Sequence, residues 1–507
     1  MRVIRKIKVD RKSNIPLYLQ IKNQIKEMIL SNVLSEGMRL PPTRKLAEFL
    51  KVNRSTVVSA YDELLAEGLV ETHVGRGTIV KRKDFSPGRD FIFYPFDWTE
   101  YLAFSPESVH DSLIRDIISY CSQEGVISLG AGVPAPEIFP VEEFQEIIDY
   151  LLRKEGELIF QHFPTEGYYP LRKMLADWMI EEGKTINADE VLIVAGSQQG
   201  LYLLAKIFLN PGDSVVVESP TYLGALQVFR AFKARIIDIP VDDKGIRVDI
   251  LENFLSRQIP KLIYILPSFQ NPSGAVLSLE RRKKLLELAY KFQIPIIEDD
   301  PYSKLYYKEP PPFSLKSLDR HNYVIYLSTF SKILFPGFRI GWLIAPKAVI
   351  ERLTRIKQFL DLHCNTLGQR AIYEFCKQGL LEKHLKKARK VYSRKRDIMI
   401  SALKKYCSPY ISWNTPQGGF YLWCRLKKDL KSSELLKEAF RKKIVFIIGE
   451  AFCIEGKGEN WLRLNFTFHK EELIQEGIKR LGKALSGLIK KSQVEIETEK
   501  PVNKPIV

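Results

Sequence analysis

A lysine set among hydroxyl groups and followed by an arginine is the pattern in this chain most suggestive of chemistry. The stretch LSTFSKILFPGFRIGW places Lys332 directly after Ser331 and three residues after Thr329, with Arg339 seven residues further on. The hydroxyls and the guanidinium can hold a phosphate, and arginine does so through two parallel N–H bonds. The pattern therefore suits a lysine that forms a Schiff base with a phosphorylated aldehyde. The alternative is a solvated lysine and arginine on a surface helix.

Two apolar runs that end in polar groups supply further candidates. Residues 294–302 read IPIIEDDPY, and residues 261–274 read KLIYILPSFQNPSG. Together with the lysine stretch they resemble the fold-type I aminotransferases, which use pyridoxal 5′-phosphate (PLP). The resemblance implies that Asp299 pairs with the pyridine nitrogen and that Tyr302 and Asn271 bind the ring 3′-oxygen. An ionised aspartate keeps that nitrogen protonated, so that the ring can accept electrons. Taken alone, the acid pair could cap a helix and the asparagine could form a plain turn.

The phosphate end of the cofactor has candidates in AGSQQGL, residues 195–201. This stretch follows the apolar run VLIVAG and opens a predicted helix, whose first backbone N–H groups favour an anion. Ser197 and Gln198 are therefore expected at the phosphate. The resemblance also implies that Tyr222 stacks on the cofactor ring, although an ordinary core tyrosine is the alternative. It makes Lys332, Asp299 and Tyr302 the catalytic group.

The substrate end is implied by two more segments. Arg463, in WLRLNF, matches the arginine that grips the substrate α-carboxylate. Residues 112–140 resemble the entry segment of the aminoadipate and kynurenine aminotransferase branch, so Gly132 and Asn271 are expected to line the substrate space with Arg463. One departure concerns QHFPTEGYYPLR, where the family usually carries a tyrosine that reaches the partner subunit's cofactor phosphate. His162 stands there, either as a replacement phosphate donor or as a packing residue.

Residues 16–80 carry a second pattern, which predicts three short helices and a hairpin. Apolar residues recur with helical spacing, and Pro42 suits a first helical turn. Asn53 or Ser55 can cap the third helix, and Gly68 can end it. The residues expected to form the apolar faces of these helices are Leu17, Ile21, Ile25, Ile29, Leu46, Ala47, Leu50, Val57, Tyr61, Leu64 and Leu65.

This plan closely resembles the winged helix-turn-helix of the GntR type. The resemblance implies a third helix whose N-terminus reads the major groove, a phosphate contact at the start of the second helix, and a wing tip. The residues so placed are Arg44, Arg54, Ser55, Thr56 and Arg76. Solvated surface charge is the alternative for the three arginines. Many relatives have serine where this chain has Pro42, which removes one potential phosphate contact.

The charge distribution agrees with a DNA-binding module at the N-terminus. Residues 1–83 hold 17 Lys and Arg against 8 Asp and Glu, a net charge of +9. Since the whole chain is +17, the other 424 residues carry only +8. Positive charge is therefore concentrated where phosphates are expected.

The remaining sequence predicts an α/β domain. Between residues 189 and 345, apolar runs rich in β-branched residues alternate with helical patterns, which favours a mostly parallel sheet covered by helices. Residues from about 375 predict a smaller C-terminal subdomain. We expect a winged-helix domain at 1–83, a linker at 84–107, the PLP domain at 108–488 and a polar, disordered tail at 489–507. The linker holds eight aromatic residues, whose exposure would be costly, so we expect it to dock on a folded domain.

Both halves in this order resemble the MocR/GabR family of bacterial transcription regulators. The resemblance implies a cytoplasmic dimer, with domain swapping as one arrangement, that binds operator DNA and senses an amino acid or PLP itself. The second hypothesis is an active aminotransferase with a secondary DNA-binding module. The six cysteines show no metal-ligand spacing, so we expect reduced thiols and no metal site.

Overall fold

The computed structural model describes residues 7–11, 13, 15–73, 77–81, 124–427, 430–454 and 457–498. The linker predicted at 84–107 and Arg76 at the wing tip lie outside these residues. The chain divides into two compact units, Met1–Leu102 and Ala103–Val507. None of the helices in the described ranges is long and apolar enough to cross a membrane.

The first unit has the predicted winged-helix plan. Its elements are α1 (Leu17–Leu30), α2 (Thr43–Leu50), α3 (Arg54–Ala66), β1 (Val70–His73) and β2 (Gly77–Val80). The two strands form an antiparallel hairpin in which Val70 faces Val80. Gly68 follows α3 with φ +66°, a conformation in which glycine avoids the steric penalty of a side chain, so the predicted helix stop is confirmed.

One local prediction in this unit is wrong, and a second holds only in part. Leu65 is 44% exposed, whereas its neighbour Leu64 is buried. Successive residues on a helix point about 100° apart, so only one of the two can face a narrow core. Asn53 occupies the predicted N-cap position of α3, but its side chain makes no capping hydrogen bond, and Ser55 lies within the helix. The other predicted core positions are buried or half-buried.

The second unit is built on an eight-stranded sheet. The strands are β4 (Val191–Val194), β5 (Ser214–Ser219), β6 (Arg235–Asp242), β7 (Gly245–Ile246), β8 (Leu262–Ile265), β9 (Ile296–Asp299), β10 (Val324–Thr329) and β11 (Gly341–Ile344). Their order is β4-β11-β10-β9-β8-β5-β6-β7, and the run from β10 to β6 is parallel. β11 is antiparallel to both of its neighbours. The predicted mostly parallel sheet is confirmed.

Helices cover both faces of this sheet. They are α4 (Val141–Glu155), α5 (Tyr169–Glu181), α6 (Ser197–Phe208), α7 (Leu223–Ala231), α8 (Val248–Leu255), α9 (Leu279–Phe292), α10 (Leu315–Leu318), α11 (Lys347–Leu360) and α12 (Thr366–Lys377). Val215 and Val217 of β5 pack in the cluster that includes α6 and α7, whereas Val216 between them packs in the cluster that includes α8 and α9. This alternation explains why the central strands are apolar on both sides.

The C-terminal part forms a smaller antiparallel sheet with three helices. Its elements are α13 (Leu380–Tyr406), β12 (Ile411–Trp413), β13 (Tyr421–Leu426), α14 (Ser432–Arg441), β14 (Ile444–Val445), β15 (Ile447–Ile448), β16 (Trp461–Asn465) and α15 (Glu471–Thr498). The strand order is β12-β13-β16-β15, and β14 pairs with β3 (Ile127–Ser128). The predicted tail began at residue 489, but α15 continues to Thr498. Ile489 packs partly buried against the core, so the apolar face of α15 passes the predicted boundary.

Candidate cofactor site and DNA-reading helix

The candidate cofactor site lies at the C-terminal ends of the parallel strands, where open α/β sheets bind ligands. Asp299 ends β9 and Thr329 ends β10. Asn271 follows β8, and Gly196 follows β4. The strand ends therefore bring together groups that are far apart in the sequence.

Lys332 is half-buried, and its Nζ donates a hydrogen bond to the carbonyl oxygen of Gly132 at 2.6 Å. Burial lowers the pKa of the Lys332 amine, and Arg463 and Arg339 lower it further, against the opposing effects of Tyr421 and Asp299. A lowered pKa increases the neutral fraction of the amine, which is the form that attacks an aldehyde.

Asp299 has one carboxylate oxygen available for a ligand. Its Oδ2 accepts a hydrogen bond from the hydroxyl of Tyr264 at 2.7 Å, whereas its buried Oδ1 has no partner among the described residues. Burial raises the pKa of Asp299 to about 7. Because an unpaired buried acceptor is costly, a cationic N–H placed against Oδ1 would be stabilising. This observation fits the protonated ring nitrogen of PLP.

Asp300 is engaged differently. Its Oδ1 accepts from the backbone N–H of Ser303 at 3.0 Å, and its Oδ2 accepts from the hydroxyl of Tyr326 at 2.9 Å. Both oxygens are therefore satisfied within the protein. This difference supports Asp299, rather than Asp300, as the partner of the ring nitrogen.

The residues predicted to bind the cofactor phosphate lie close together. Arg339 donates from Nη1 to Ser331 Oγ at 3.1 Å, and Thr329 Oγ1 donates to the same oxygen at 3.0 Å. Gly196 has φ +83°, and a Cβ there would lie 2.6 Å from Arg339 Nη2. Only glycine therefore lets the guanidinium approach the N-terminus of α6, which begins at Ser197. These donors around a helix start fit a phosphate group.

The side chain of Gln198 is already occupied. Its Nε2 donates to the carbonyl of Gly224 at 3.2 Å, and its Oε1 accepts from the hydroxyl of Tyr222 at 3.1 Å. Gln198 thus orients Tyr222, and a phosphate contact from this residue would come from its backbone N–H. Burial raises the pKa of Tyr222 to about 12, so its hydroxyl stays protonated.

Arg463 closes the opposite end of the site. Its Nη1 donates to Asn271 Oδ1 and its Nη2 to the carbonyl of Gly130, both at 2.8 Å. The guanidinium carbon lies 4.1 Å from the ring centre of Tyr421 and 4.8 Å from that of Phe452. The aromatic rings hold the guanidinium in place, and its buried Nε has no partner among the described residues.

Two tyrosines of the site were missed by the sequence analysis. Tyr302 donates a hydrogen bond to the hydroxyl of Tyr421 at 3.1 Å, and a Cβ on Gly132 would collide with that hydroxyl. Burial acts to raise the pKa of Tyr421, but Arg463, Lys332 and the bond from Tyr302 together lower it. Tyr264 is the second, through its bond to Asp299. Its position inside the apolar run LIYI was a usable signal, because a buried tyrosine hydroxyl needs a partner.

A buried glutamate lies one strand away from the strand that leads to Asn271. Glu218, near the end of β5, accepts from the backbone N–H of Leu266 at 2.9 Å through Oε2. Its Oε1 has no partner among the described residues. Burial raises the pKa of Glu218 to about 8, so its carboxyl is mostly protonated at neutral pH.

His162 is not brought to this site within one chain. It is exposed, and its Nδ1 lies 3.0 Å from Nε2 of His363. The structure thus pairs this histidine with another histidine on the surface, and the cross-subunit phosphate contact stays a prediction.

The DNA-reading candidates lie on the surface of the first unit. Arg54 and Ser55 form the start of α3 and are exposed, Thr56 is half-buried, and Arg44 is exposed in the first turn of α2. No hydrogen bond or ion pair to another described residue holds the side chain of Arg44 or Arg54. Both guanidinium groups are therefore available to a ligand.

Comparison with known proteins agrees with both halves. Residues 124–481 match aminotransferase class I and II, and residues 17–80 match the bacterial regulatory proteins of the gntR family. Aromatic-amino-acid aminotransferase 1 of Thermococcus litoralis is 40% identical over 78% of this chain and 96% of its own length. The uncharacterized HTH-type transcriptional regulator YisV of Bacillus subtilis is 33% identical over 93% of this chain and 96% of its own.

A solved structure gives the same fold. The α-aminoadipate aminotransferase LysN of Thermus thermophilus, complexed with N-(5′-phosphopyridoxyl)-L-leucine, superposes with a TM-score of 0.72. It is 37% identical and covers 78% of this chain and all of its own. The chain thus belongs to the aminotransferase class I and II family and, with its GntR domain, to the MocR-type regulators that join a winged helix to a PLP-dependent aminotransferase-like domain.

Proposed function

We propose that the chain is a transcription regulator that binds operator DNA through α3 and senses an amino acid at the Lys332 site. The observation that carries the proposal is that buried groups expected to hold PLP lie together on a chain whose α3 begins with an exposed arginine that pairs with no described residue. An effector with an α-amino group and an α-carboxylate suits the site, because the Arg463 guanidinium lies near enough to Lys332 to lower its pKa, so an amine and a carboxylate on one carbon could be met together.

The residues of the site have distinct tasks in this proposal. When bound, PLP supplies an aldehyde and an electron-accepting ring. Lys332 provides the amine that holds the aldehyde, and Asp299 holds a proton at the ring nitrogen through Oδ1. Arg339 and the N-terminus of α6 bind the phosphate. Arg463 binds the effector carboxylate, and Tyr302 supports the hydroxyl of Tyr421 beside it.

We infer that the second unit forms a homodimer. Several large apolar side chains are exposed, including Phe359 at 89%, Phe160 at 67% and Leu362 at 53%. Asp361, between two of them, accepts from Gln199 Nε2, and Gln199 Oε1 accepts from the backbone N–H of Ala195. A second copy that covers these side chains would therefore lie against Asp361, whose hydrogen bonds lead through Gln199 to Ala195 beside the phosphate-binding helix start. Sedimentation velocity should give a dimer, and Phe359→Ser should shift it toward monomer.

Regulation requires that the effector bind the DNA-bound and free states with different affinities. By linkage, operator DNA must then change effector affinity by the same factor. The aromatic segment at 84–107 is the covalent path between the domains, and we propose that it carries this coupling. Replacing Phe93, Phe96 and Trp98 by serine should remove the effector response while leaving operator and cofactor binding near normal.

The test of regulation starts from an operator selected out of a random DNA pool with the full-length protein. Operator affinity is then measured with each amino acid and with added PLP, while cofactor absorbance reports capture at the site. One ligand class should change affinity by about 5–150-fold, a typical coupling. If operator affinity is the same with every amino acid and with PLP, the sensing half of the proposal is wrong.

An active aminotransferase is the second candidate. It is favoured by the presence of the expected catalytic group Lys332, Asp299 and Tyr302, and by the identity to Aromatic-amino-acid aminotransferase 1. Purified protein would then convert an amino acid and an acceptor keto acid to the exchanged pair over many turnovers, with Lys332→Ala as the inactive control. A sensor would consume at most one equivalent per site.

A further inference from the structure

Helix α13 carries the positive charge of the second unit. It spans Leu380–Tyr406 and holds ten Lys and Arg against the two acids Glu382 and Asp397, a net charge of +8. Residues 84–507 as a whole also carry +8, so the 397 residues outside α13 balance to zero. Positive charge concentrated on one helix favours binding of a negatively charged partner.

Part of this charge is neutralised inside the protein. Four of the ten basic side chains have acidic partners: Arg389 with Glu382, Arg394 with Glu471, Lys395 with Glu137, and Arg396 with Asp397. The six others are exposed and form no ion pair with a described residue. These six, called here the α13 lysines, are Lys383, Lys386, Lys387, Lys390, Lys404 and Lys405.

The α13 lysines follow one side of a long helix. Lys383, Lys387 and Lys390 are spaced by four and three residues, so they lie on one face. Lys405 is 22 residues beyond Lys383, about 33 Å along the axis at 1.5 Å per residue. A cleft of about 800 Å³ lies beside this face, and its lining includes Lys390, Ser393, Ser401 and Lys405, together with Asp397, whose carboxylate is paired with Arg396.

We propose that the α13 lysines bind the phosphate backbone of DNA that flanks the operator. The inference rests on the proposed function, since it needs a chain that already holds DNA through α3. The 33 Å span is close to one turn of B-DNA, about 34 Å. Amines and hydroxyls are the usual phosphate ligands, and such contacts add affinity without reading sequence. The surface would therefore extend the DNA footprint rather than change the sequence preference.

The test compares two duplexes that carry the selected operator. The short duplex holds the operator alone, and the long duplex adds about 15 base pairs on each side. Full-length wild type should bind the long duplex more tightly, with a steeper salt dependence. The triple variant Lys383→Gln, Lys387→Gln, Lys390→Gln should lose this gain, because each lost phosphate contact removes about 0.9 from the slope of log K against log salt. Its affinity for the short duplex should match wild type.

A matched control separates this surface from net charge. Lys206→Gln, Lys261→Gln and Lys283→Gln remove the same charge from three exposed lysines outside α13, without breaking an ion pair to a described residue. Wild-type cofactor absorbance in both triple variants shows that the fold is intact. The control should keep the long-duplex gain.

Three results would overturn the proposal. One is an α13 variant with an unchanged gain on the long duplex. Another is an equal loss in the control, which would indicate a general charge effect. A third is wild type that binds both duplexes alike. In each case binding to the short duplex would still stand, so the proposed function would survive, whereas failure of wild type to bind either duplex would remove both.

Discussion

The DNA-reading helix and the cofactor pocket use charged residues in opposite ways. Arg54 at the start of α3 is exposed, and no described residue pairs with its side chain. Asp299 in the pocket is buried, and burial raises its pKa to about 7. An exposed group contacts its ligand directly, so removing it is expected to affect that contact alone. A buried group acts through the network around it, so its loss is expected to be felt by several partners.

The largest expected effect is that of Lys332→Ala. The variant should lose the absorbance of lysine-bound PLP and any cofactor that borohydride can fix, because no second lysine stands among the described residues of the site. Operator binding without effector should change little if the two regions work independently. A variant that still fixes cofactor would contradict the assignment of Lys332. A variant that loses operator binding would show that the two regions do not work independently.

A smaller effect is expected from Asp299→Asn. Losing a hydrogen bond to a charged group typically costs about 1.5–3 kcal/mol, so PLP affinity should fall by roughly 10–150-fold. Asp300→Asn is the matched control, because its oxygens are bound by Ser303 and Tyr326. That control should act mainly on stability. Its thermal midpoint should fall, whereas its PLP affinity should fall less than that of Asp299→Asn. If Asp300→Asn weakens PLP more than Asp299→Asn does, the assignment is off by one residue.

On the DNA side, Arg54→Ala should cost about 1–3 kcal/mol of operator affinity if, as proposed, its side chain contacts base edges. The variant should also discriminate less between the operator and its point mutants. Competition binding with a panel of single-base changes measures both quantities. Uniform weakening on all sequences would instead make Arg54 a phosphate contact.

Arg44→Ala tests the second kind of DNA contact. The start of α2 suits a phosphate, so the variant should weaken binding to all sequences alike and reduce the salt slope by about 0.9. Titrations at several salt concentrations give that slope. A slope equal to that of wild type would contradict the phosphate role.

The smallest effect concerns a buried group with no assigned ligand. The pKa of Glu218 is about 8 in the folded protein, above its usual value of 4.5. A carboxyl whose pKa is higher in the folded protein than in the unfolded chain stabilises the fold when it is protonated. This stabilisation is fully present below the unfolded pKa of 4.5 and is lost as the pH rises to 8. Glu218→Gln has no carboxyl to titrate, so it does not lose stability in this way. The thermal midpoint of the variant relative to wild type should therefore rise with pH across this range, by about 2 °C per unit. A difference independent of pH would mean that Glu218 is not buried in protonated form.

Local patterns predicted the parts of the site that are local. Lys332, Ser331 and Arg339 stand close together in the sequence, and each motif at a strand end could be recognised by itself. Tyr421 could not be placed in this way, because its contact with Tyr302 joins residues 119 positions apart. The occupied side chain of Gln198 likewise depends on Tyr222 and Gly224, which a helix-start pattern does not reveal.

The fold, like the site, could be predicted where the signal lies within a short stretch of sequence. Alternating apolar runs predicted the parallel strands, because burial on both faces leaves a strong signal. The position of β11 between β4 and β10 came only from the structure, since chain order does not give strand order. Leu65 and Ile489 were misjudged for a related reason: burial depends on which neighbour covers a residue, not on its type alone.

The unpartnered oxygen of Asp299 has a consequence for how the protein takes up its cofactor. Below about pH 7 this carboxyl holds a proton. A cationic N–H placed against Oδ1 would favour the ionised carboxylate, so loading with a cofactor whose ring nitrogen is protonated should lower the pKa of Asp299. Through this group alone, cofactor affinity should therefore increase as the pH rises through 7, and the charge state of Asp299 would report whether the site is filled.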